Sequence, residues 1–375
     1  MIYADNAATT KLDDDAFEAM KEFLVDSYGN PSQPYSFSKK AKDALRESRR
    51  IIGECIKADA DEIYFTSGGT ESDNWAIKGF GKSNKTKHIV ISQIEHHAII
   101  NSCSAVEKRG AFVKMLPVDS NGTVKIENLE KMLEHYKTGE KDDMLVSIML
   151  ANNEIGTIEP IKELTSVAHE HQAIFHTDAV QAVGHINIDV NDLGVDMLSA
   201  SAHKFNGPKG IGFLYIKKGI DNLPHNDGGS QEFGKRAGTE NVASIVGMAI
   251  ALKKNCEDIE KNSTYLRSLE KTMIMRLHEH GLNFLRNGIN QLPGNVSLSF
   301  ADADGEMLLH RLDLKKICIS TGAACDSVNT RISHVIEAIK TPEQFAKGTI
   351  RVSLGKLNTI SDVITIADTI KDILG

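Results

Sequence analysis

The chain has 375 residues, 41% of them hydrophobic, and a formal net charge of −8 at neutral pH. This length exceeds one ordinary domain, and the apolar content is ample for a large core with a smaller companion. The net negative charge provides no electrostatic attraction to nucleic acid or to an anionic membrane. Because we find no 18-residue apolar run and no signal-peptide pattern, we expect a cytoplasmic protein.

Strand-like and helical segments alternate over residues 15–252. The strand candidates are residues 63–66, 88–92, 144–150, 173–177, 197–200 and 211–216. Short apolar runs separated by helical patterns are typical of a mainly parallel sheet with helices on both faces. This part of the chain is therefore predicted to have an α/β fold.

Two long helices of mixed polarity, at residues 242–255 and 259–280, follow the alternating region and lead to a second unit. The remaining elements predicted there are strands at 296–300 and 349–354 and helices at 306–312, 331–339 and 361–374. We place the boundary between the two units near residue 255.

A glycine-containing turn follows the first strand candidate, where T-S-G-G-T runs from Thr66 to Thr70 into a helix beginning near Glu71. Backbone N–H groups at a helix start form an anion site, and paired glycines allow a phosphate to approach closely. Many turns of this kind bind nothing, so the motif alone leaves both interpretations open.

Two charged residues stand where buried strands end. Asp178 follows the strand in A-I-F-H-T-D-A-V-Q, and Lys204 follows the strand in V-D-M-L-S-A-S-A-H-K, just before a glycine-rich loop. Ligands of α/β proteins bind beyond the carboxyl ends of strands. A lysine amine can hold an aldehyde cofactor as a Schiff base, and a carboxylate can pair with a protonated pyridine nitrogen. Taken singly, a helix N-cap and a surface lysine are simpler interpretations.

Five cysteines, at positions 55, 103, 256, 318 and 325, form no C-x-x-C pair and are odd in number. This argues against a disulfide framework and an ordinary zinc site, and favours free thiols in a reducing compartment. Cys318 lies in an apolar strand pattern and is predicted in the core. Cys55 and Cys103 fall in helical patterns and are predicted to be structural, while Cys256, near a helix end, is undecided. Cys325 lies in S-T-G-A-A-C-D-S-V-N, a loop of small residues that suits an exposed thiolate nucleophile or an incidental cysteine equally well.

Six motifs occur in order along the chain: T-S-G-G-T-E-S-D-N, A-N-N-E-I-G-T-I, H-T-D-A-V-Q, S-A-H-K-F-N-G-P-K-G-I-G, R-A-G-T-E-N and S-T-G-A-A-C. They resemble the motifs of the cysteine desulfurases, pyridoxal phosphate enzymes of the class V aminotransferase group. The resemblance implies the fold-type I aminotransferase architecture. Residues 15–255 would form a large domain with a mainly parallel seven-stranded sheet. Residues 1–14 and 256–375 would form a smaller α+β domain carrying the cysteine loop.

The resemblance also implies roles around pyridoxal 5'-phosphate. Lys204 would form the Schiff base, Asp178 would pair with the pyridine nitrogen, and Gln181 would contact the ring hydroxyl oxygen. His96 of Q-I-E-H-H-A-I-I would stack on the ring and assist proton transfer. The expected phosphate contacts are Gly69, Thr70, Ser201 and His203, with Thr239 from the neighbouring subunit of a homodimer. The adjacent histidines lack further ligands at metal spacing, so no metal is predicted.

The substrate side follows from the same resemblance. Asn153 would lie beside substrate and cofactor, and Arg351 would grip the substrate carboxylate with its planar fork, with Asn30 nearby. The implied reaction removes sulfur from L-cysteine. Lys204 would take the Cα proton, and the Cys325 thiolate would attack the substrate sulfur, leaving a persulfide on Cys325 and releasing L-alanine.

The persulfide sulfur would pass to a protein acceptor such as an iron–sulfur scaffold or a sulfur carrier, and the sequence does not choose between them.

Other interpretations stay open. A selenocysteine lyase or another class V enzyme would also need Lys204 and Asp178, although an aminotransferase would not need Cys325. A non-enzymatic sulfur-transfer scaffold is disfavoured because every catalytic position is filled. Thr239 also suits a helix N-cap, because T-E-N-V-A-S-I-V opens a helix.

Overall fold

The computed structural model describes residues 1–81, 86–134, 142–321 and 332–375. The strands in these ranges are β1 (Ile2–Tyr3), β2 (Ile63–Thr66), β3 (Thr86–Ser92), β4 (Phe112–Leu116), β5 (Asp142–Ser147), β6 (Ile174–Asp178), β7 (Met197–Ser201), β8 (Gly212–Ile216), β9 (Phe284–Arg286), β10 (Asn295–Phe300), β11 (Ile317–Cys318) and β12 (Thr349–Ser353). The helices are α1 (Asp14–Val25), α2 (Lys39–Ile56), α3 (Gly69–Gly79), α4 (His97–Glu107), α5 (Ile126–Glu134), α6 (Ile161–Glu170), α7 (Val190–Leu193), α8 (Val242–Glu257), α9 (Ile259–Glu279), α10 (Gly305–Leu314), α11 (His334–Ala338), α12 (Glu343–Ala346) and α13 (Ile360–Leu374).

A seven-stranded sheet with the order β2-β8-β7-β6-β5-β3-β4 forms the centre of the fold. Only β8 runs antiparallel to its neighbours, and the other strands are parallel to one another. The predicted α/β fold with a mainly parallel seven-stranded sheet is therefore confirmed. A parallel sheet of this kind is covered on both faces, which explains why its strands read as apolar runs.

Each face of the sheet has its own hydrophobic cluster. On β3, Val90 packs into one cluster, while Ile89 and Ile91 pack into the other. On β5, Val146 and Leu145 divide between the two faces in the same way. Because successive side chains of a strand point to opposite faces, helices must cover both sides of this sheet.

The sequence prediction missed β4, the outer strand beyond β3. In F-V-K-M-L only Leu116 is buried, while Phe112 and Met115 are exposed. An edge strand packs against one neighbour and little else, so its sequence carries neither a clean alternation nor a continuous apolar run.

A second core involves both ends of the chain. The antiparallel sheet β12-β10-β9 packs with α9, α10 and α13 in a separate hydrophobic cluster, which also includes Ala4. β1 pairs in parallel with β11, so the first residues lie against the last third of the chain. The helix predicted at 331–339 begins at His334 after the Ser333 N-cap, and residue 331 lies outside the described ranges. Among the described helices, none combines the length and apolarity needed to cross a bilayer.

A buried ion pair fastens the segment after β8 to the main sheet. The carboxylate of Glu232 accepts hydrogen bonds from Arg49 Nη1 and Nη2, at 2.8 and 2.7 Å, and from the Phe65 N–H, at 2.8 Å. Both side chains are almost fully buried. Glu232 and Phe233 also have φ angles of 46° and 58°, a left-handed conformation that costs free energy in residues with side chains. The ion pair therefore holds a strained turn in place.

Replacing Arg49 by methionine leaves the Glu232 carboxylate buried without its cation. We expect Arg49→Met to lower the free energy of unfolding by about 3–5 kcal/mol, the usual effect of breaking a buried ion pair on one side. The measurement is urea denaturation of the purified protein. Arg50→Met is the matched control, because the next residue of α2 forms only exposed pairs with Glu47 and Glu54. Equal urea midpoints for the two variants would contradict the prediction.

Candidate active site

The carboxyl ends of five strands of the main sheet meet around one cavity. The connections after β2, β3, β5, β6 and β7 line a space of about 500 Å³, within the range of about 300–1,000 Å³ typical of small-molecule sites. The carboxyl ends of β2 and β7 lie close together here because Gly212, the first residue of the intervening strand β8, pairs with Thr66 and with Ser201. The lining includes nine residues that the sequence predicted for the site: Gly69, Thr70, His96, Asn153, Asp178, Gln181, Ser201, His203 and Lys204.

The amino end of α3 forms one wall of the cavity. Gly68 caps this helix with φ 149°, which side-chain-bearing residues rarely adopt. A Cβ atom on Gly69 would lie 2.5 Å from Val180 Cγ2, so glycine is required for the helix to approach the end of β6. The first N–H groups of a helix lack intrahelical acceptors and favour an anion. The turn therefore has the geometry of a phosphate site.

Lys204 lies on a short 3-10 turn directly after β7. Its Nζ donates to the carbonyl oxygens of Ala7 and Ala8, at 2.6 and 2.9 Å, and Gln181 Nε2 donates to the Ala7 oxygen at 3.0 Å. Thr9 Oγ1 is 3.2 Å from Nδ1 of His203 and also lines the cavity. The N-terminal segment thus closes one side of the site. No site role was predicted for this segment from the sequence.

Asp178 ends β6 and is buried, with Oδ1 accepting the Val180 N–H at 2.9 Å. Burial raises the pKa of Asp178 above its ordinary value, while the nearby His96, this hydrogen bond and Lys204 act in the opposite direction. Burying a carboxylate is costly unless a positive partner is present. This position therefore favours a cationic group in the cavity.

Asp73 of α3 is a site residue that sequence reasoning missed. It is fully buried and lines the cavity, and one ligand atom each of Asp73, His96 and Asp178 lies within 4.8 Å of the others. Burial and the neighbouring Asp178 raise the pKa of Asp73 well above its ordinary value. Its only signal was its position four residues after Gly69, one helical turn into α3. The trio also has donor types that metals accept, so the absence of a metal stays a prediction.

The two predicted histidines are neutral at physiological pH. Burial lowers the pKa of His96, and burial with the charges of Lys204 and Lys209 lowers the pKa of His203 to about 4. His96 caps α4, and its Nδ1 accepts the Ala98 N–H at 3.1 Å. Because Nδ1 is an acceptor, the neutral ring of His96 carries its proton on Nε2.

Arg351 of β12 reaches the edge of the site but does not line the cavity. Its Nη1 donates to the Asn153 carbonyl oxygen and its Nη2 to Asp5 Oδ1, both at 2.7 Å. The side chain is buried, and its Nε has no hydrogen-bond acceptor among the described residues. Asp5 was not predicted from the sequence. Its carboxylate accepts a hydrogen bond from Nη2 of the same guanidinium group that was predicted to bind the substrate carboxylate.

Two predicted site residues are not brought to the cavity within the single described chain. Asn30 lies between α1 and α2, where its Oδ1 accepts the Ser32 N–H at 2.9 Å, and Thr239 is exposed. Cys325 lies outside the described residues. Cys318 was predicted in the core, but it is half-buried. Its neighbours Ile317 and Ile319 are buried, and successive side chains of an extended segment point to opposite faces, so Cys318 faces away from the core.

Similarity to known proteins extends over the whole chain. The family model described as aminotransferase class-V matches residues 2–366. A protein of Dictyoglomus turgidum named cysteine desulfurase IscS is 47% identical over 377 residues, covering 100% of this chain and 94% of that protein. A solved structure described as a NifS-like protein has a TM-score of 0.91 at 35% identity, covering 100% of this chain and 99% of that chain. Another, described as SspA in complex with cysteine, has a TM-score of 0.82 at 33% identity, covering 96% and 100%.

Proposed function

The chain belongs to the pyridoxal-phosphate-dependent cysteine desulfurases of the class-V aminotransferase family, and we propose which of its residues remove sulfur from L-cysteine. One observation carries the proposal. Asp178 ends β6 and Lys204 follows the adjacent strand β7, and both line one cavity beside the amino end of α3. An amine, a buried carboxyl and an anion site in one cavity are the three groups that this cofactor needs.

The residues present fit the cofactor. The turn at Gly68 and Gly69 suits its phosphate, because a Cβ atom on Gly69 would collide with Val180. The buried Asp178 carboxyl suits its protonated ring nitrogen, since a cation there offsets the cost of burial. When bound, pyridoxal phosphate supplies an aldehyde that joins to amines and a ring that accepts electrons from the substrate carbon. Gln181, Ser201, His203 and Thr70 are assigned to its remaining polar groups.

The proton transfers are assigned to Lys204 and His96. Lys204 Nζ takes the Cα proton of the bound cysteine, and the carbonyl oxygens of Ala7 and Ala8 orient the amine. His96 carries a proton on Nε2. The hydrogen bond that its Nδ1 accepts from the Ala98 N–H fixes the orientation of the ring at the start of α4. Asn153 is assigned to the substrate side, because its backbone oxygen holds Arg351.

The sulfur chemistry is assigned to Cys325. Its thiolate attacks the substrate sulfur, so that an S–S bond forms while the substrate C–S bond breaks. The Cβ atom then takes up a proton, and Lys204 returns a proton to Cα, which leaves L-alanine and a persulfide on Cys325. We further propose that a protein acceptor, an iron–sulfur scaffold or a sulfur carrier, receives this sulfur. A cytoplasmic location suits the free thiols of Cys55, Cys103, Cys256 and Cys318, which a reducing compartment would maintain.

We propose that residues 15–255 form the large domain, and that residues 1–14 and 256–375 form the small domain with the cysteine loop. The separate hydrophobic clusters support this division, since Ala4 packs with residues of α9 and α13 rather than with the main sheet. The substrate site would then lie where Arg351 of the small domain meets Asn153 of the large one.

Product analysis tests the proposed reaction. Purified protein with bound cofactor is incubated with L-cysteine and a thiol reductant, and alanine, sulfide and pyruvate are quantified together. We expect alanine and sulfide in equal amounts, because the reductant releases the sulfur from Cys325. Pyruvate and ammonia in place of alanine would contradict the assignment, since they would indicate elimination without transfer of sulfur to a thiol.

Arg351 should control substrate affinity. Arg351→Lys loses the planar fork and one charge-assisted hydrogen bond worth about 1.5–3 kcal/mol, so KM for L-cysteine should rise about ten- to hundredfold with a smaller change in kcat. Steady-state sulfide release measures both constants. Arg311→Lys, at an exposed position of α10, is the control. Cofactor absorbance and melting temperature show whether folding is intact. A fall in kcat at unchanged KM would exclude Arg351 from carboxylate binding.

Thr239 is proposed to serve the site of the second subunit in a homodimer. It is exposed and does not line the cavity of its own described chain, which supports a contact across subunits. Losing one hydrogen bond to a phosphate should cost about 1.5–3 kcal/mol, so Thr239→Val should weaken cofactor binding about ten- to hundredfold. Equilibrium dialysis of the cofactor measures this effect.

Mixed dimers distinguish the two placements of Thr239. If Thr239 acts across subunits, a dimer of one Lys204→Ala chain and one Thr239→Val chain has one intact site and one doubly defective site. Refolding the two variants together at limiting cofactor should then restore about a quarter of wild-type sites, because random assembly makes half of the dimers mixed. No recovery, with mixed dimers verified by native mass spectrometry, would remove Thr239 from the partner's site.

A further inference from the structure

Two cysteines outside the proposed reaction meet where two packed helices end. Cys55 is the penultimate residue of α2, Cys256 is the penultimate residue of α8, and these helices pack along each other. Each thiol shifts the pKa of the other, so the two side chains lie near one another. Both side chains also pack against the same hydrophobic cluster. The fold therefore brings together two thiols that are 201 residues apart in sequence.

The paired thiols are reachable from solvent. Both line an open cavity of about 610 Å³ that is separate from the active-site cavity, and both are half-buried. Its wall carries charges of both signs, so it does not repel small zwitterionic or anionic molecules by a uniform charge. These residues are Arg50, Lys57 and Lys253 with Glu54, Asp189, Asp192 and Glu257. Cys103 differs, because it is buried within α4.

The contact makes the two thiols chemically unequal. The neighbouring Cys55 lowers the pKa of Cys256 and Lys57 acts in the same direction, while burial and Glu257 oppose them. The neighbouring Cys256, together with burial, raises the pKa of Cys55. The thiolate is the form that attacks a disulfide. With Lys57 in the same cavity wall to stabilise a thiolate, Cys256 is assigned the first attack and Cys55 the second.

We propose that Cys55 and Cys256 form a redox-active dithiol that low-molecular-weight disulfides convert into an intramolecular disulfide. The Cys256 thiolate attacks one sulfur of the small disulfide, whose S–S bond breaks and releases one thiolate. Cys55 then loses its proton to solvent and attacks the Cys256 sulfur, which releases the second thiolate. In sum, the two protein thiols lose two electrons and two protons, and the small disulfide is reduced to two thiols.

The cross-link would join α2 to the point where the chain passes from α8 into α9. Ile259, the first residue of α9, lines the same cavity as both thiols. Since α9 packs into the second hydrophobic cluster, the disulfide would restrain the connection between the two cores. A cross-link closing a long loop also restricts the unfolded chain, so the oxidised protein should melt at a higher temperature.

The test is a redox titration of the purified protein with its cofactor, in buffers of reduced and oxidised glutathione. Samples are quenched with acid, free thiols are alkylated, and the peptides are mapped by mass spectrometry. We expect a Cys55–Cys256 cross-linked peptide lacking two hydrogen atoms, reversed by excess reduced glutathione, and a higher melting temperature of the oxidised sample. The reaction does not depend on Cys325, so the Cys325→Ser protein should give the same cross-link.

Single substitutions identify the order of attack. Cys55→Ser should accumulate the glutathione adduct on Cys256, and Cys256→Ser should form neither cross-link nor adduct at Cys55. Cys103→Ser, at the buried position of α4, should cross-link like the wild type. Stable glutathione adducts in the wild type without a cross-link, or both thiols remaining free in strongly oxidising buffer, would overturn the proposal. So would a cross-link that pairs either residue with Cys318.

Discussion

Lys204→Ala should abolish turnover of L-cysteine and remove the visible absorbance of the bound cofactor. Loss of the proton transfer alone should lower the rate by about 10²–10⁴-fold, and loss of the covalent link to the cofactor adds to this. The physical basis is the position of Nζ at the end of β7, where the carbonyl oxygens of Ala7 and Ala8 hold it inside the cavity. Absorbance spectra and sulfide release measure the two effects separately.

The control for Lys204 is a second lysine of the same cavity. Lys209 also lines it, but it is exposed and lies in the loop rather than at the strand end, so Lys209→Ala should keep both the spectrum and turnover. Reduction of the wild type with borohydride, followed by peptide mapping, should find the cofactor on Lys204. A label on Lys209, or an unchanged spectrum in Lys204→Ala, would refute the assignment.

Cys325→Ser should separate the cofactor chemistry from the sulfur chemistry. The variant should bind pyridoxal phosphate and change its absorbance on addition of L-cysteine, because Lys204 and Asp178 are untouched. Sulfide release should fall by several orders of magnitude, since a serine hydroxyl is a poor acceptor of sulfane sulfur. Spectral titration with L-cysteine and sulfide assays on the same samples give both results.

Cys318→Ser is the matched control for Cys325. Cys318 is half-buried on the short strand β11, and its substitution should leave sulfide release close to the wild type. Persulfides trapped on the wild type during turnover should map to Cys325. A label found chiefly on Cys256 or Cys318 would show that another thiol receives the sulfur.

The sequence alone determined the parts of the site that depend on local pattern. Asp178 and Lys204 could be found because each directly follows a short apolar run, and parallel strands bring their carboxyl ends to one edge of a sheet. The turn at Gly69 was found for the same reason. The mainly parallel sheet followed from the alternation of strands and helices, although β4 escaped because only Leu116 of that strand is buried.

Tertiary structure alone decided which groups touch across long stretches of chain. Asp73 beside Asp178, the Ala7 oxygen on Lys204, Asp5 on Arg351, and Cys55 against Cys256 join residues that are 105, 197, 346 and 201 positions apart. Apolar periodicity specifies which face of an element is buried, but it does not specify which buried polar group will lie opposite. The packing of helices and strands decides which polar groups become partners. In this chain these partners determine the charge and orientation of the site residues that the sequence had already identified.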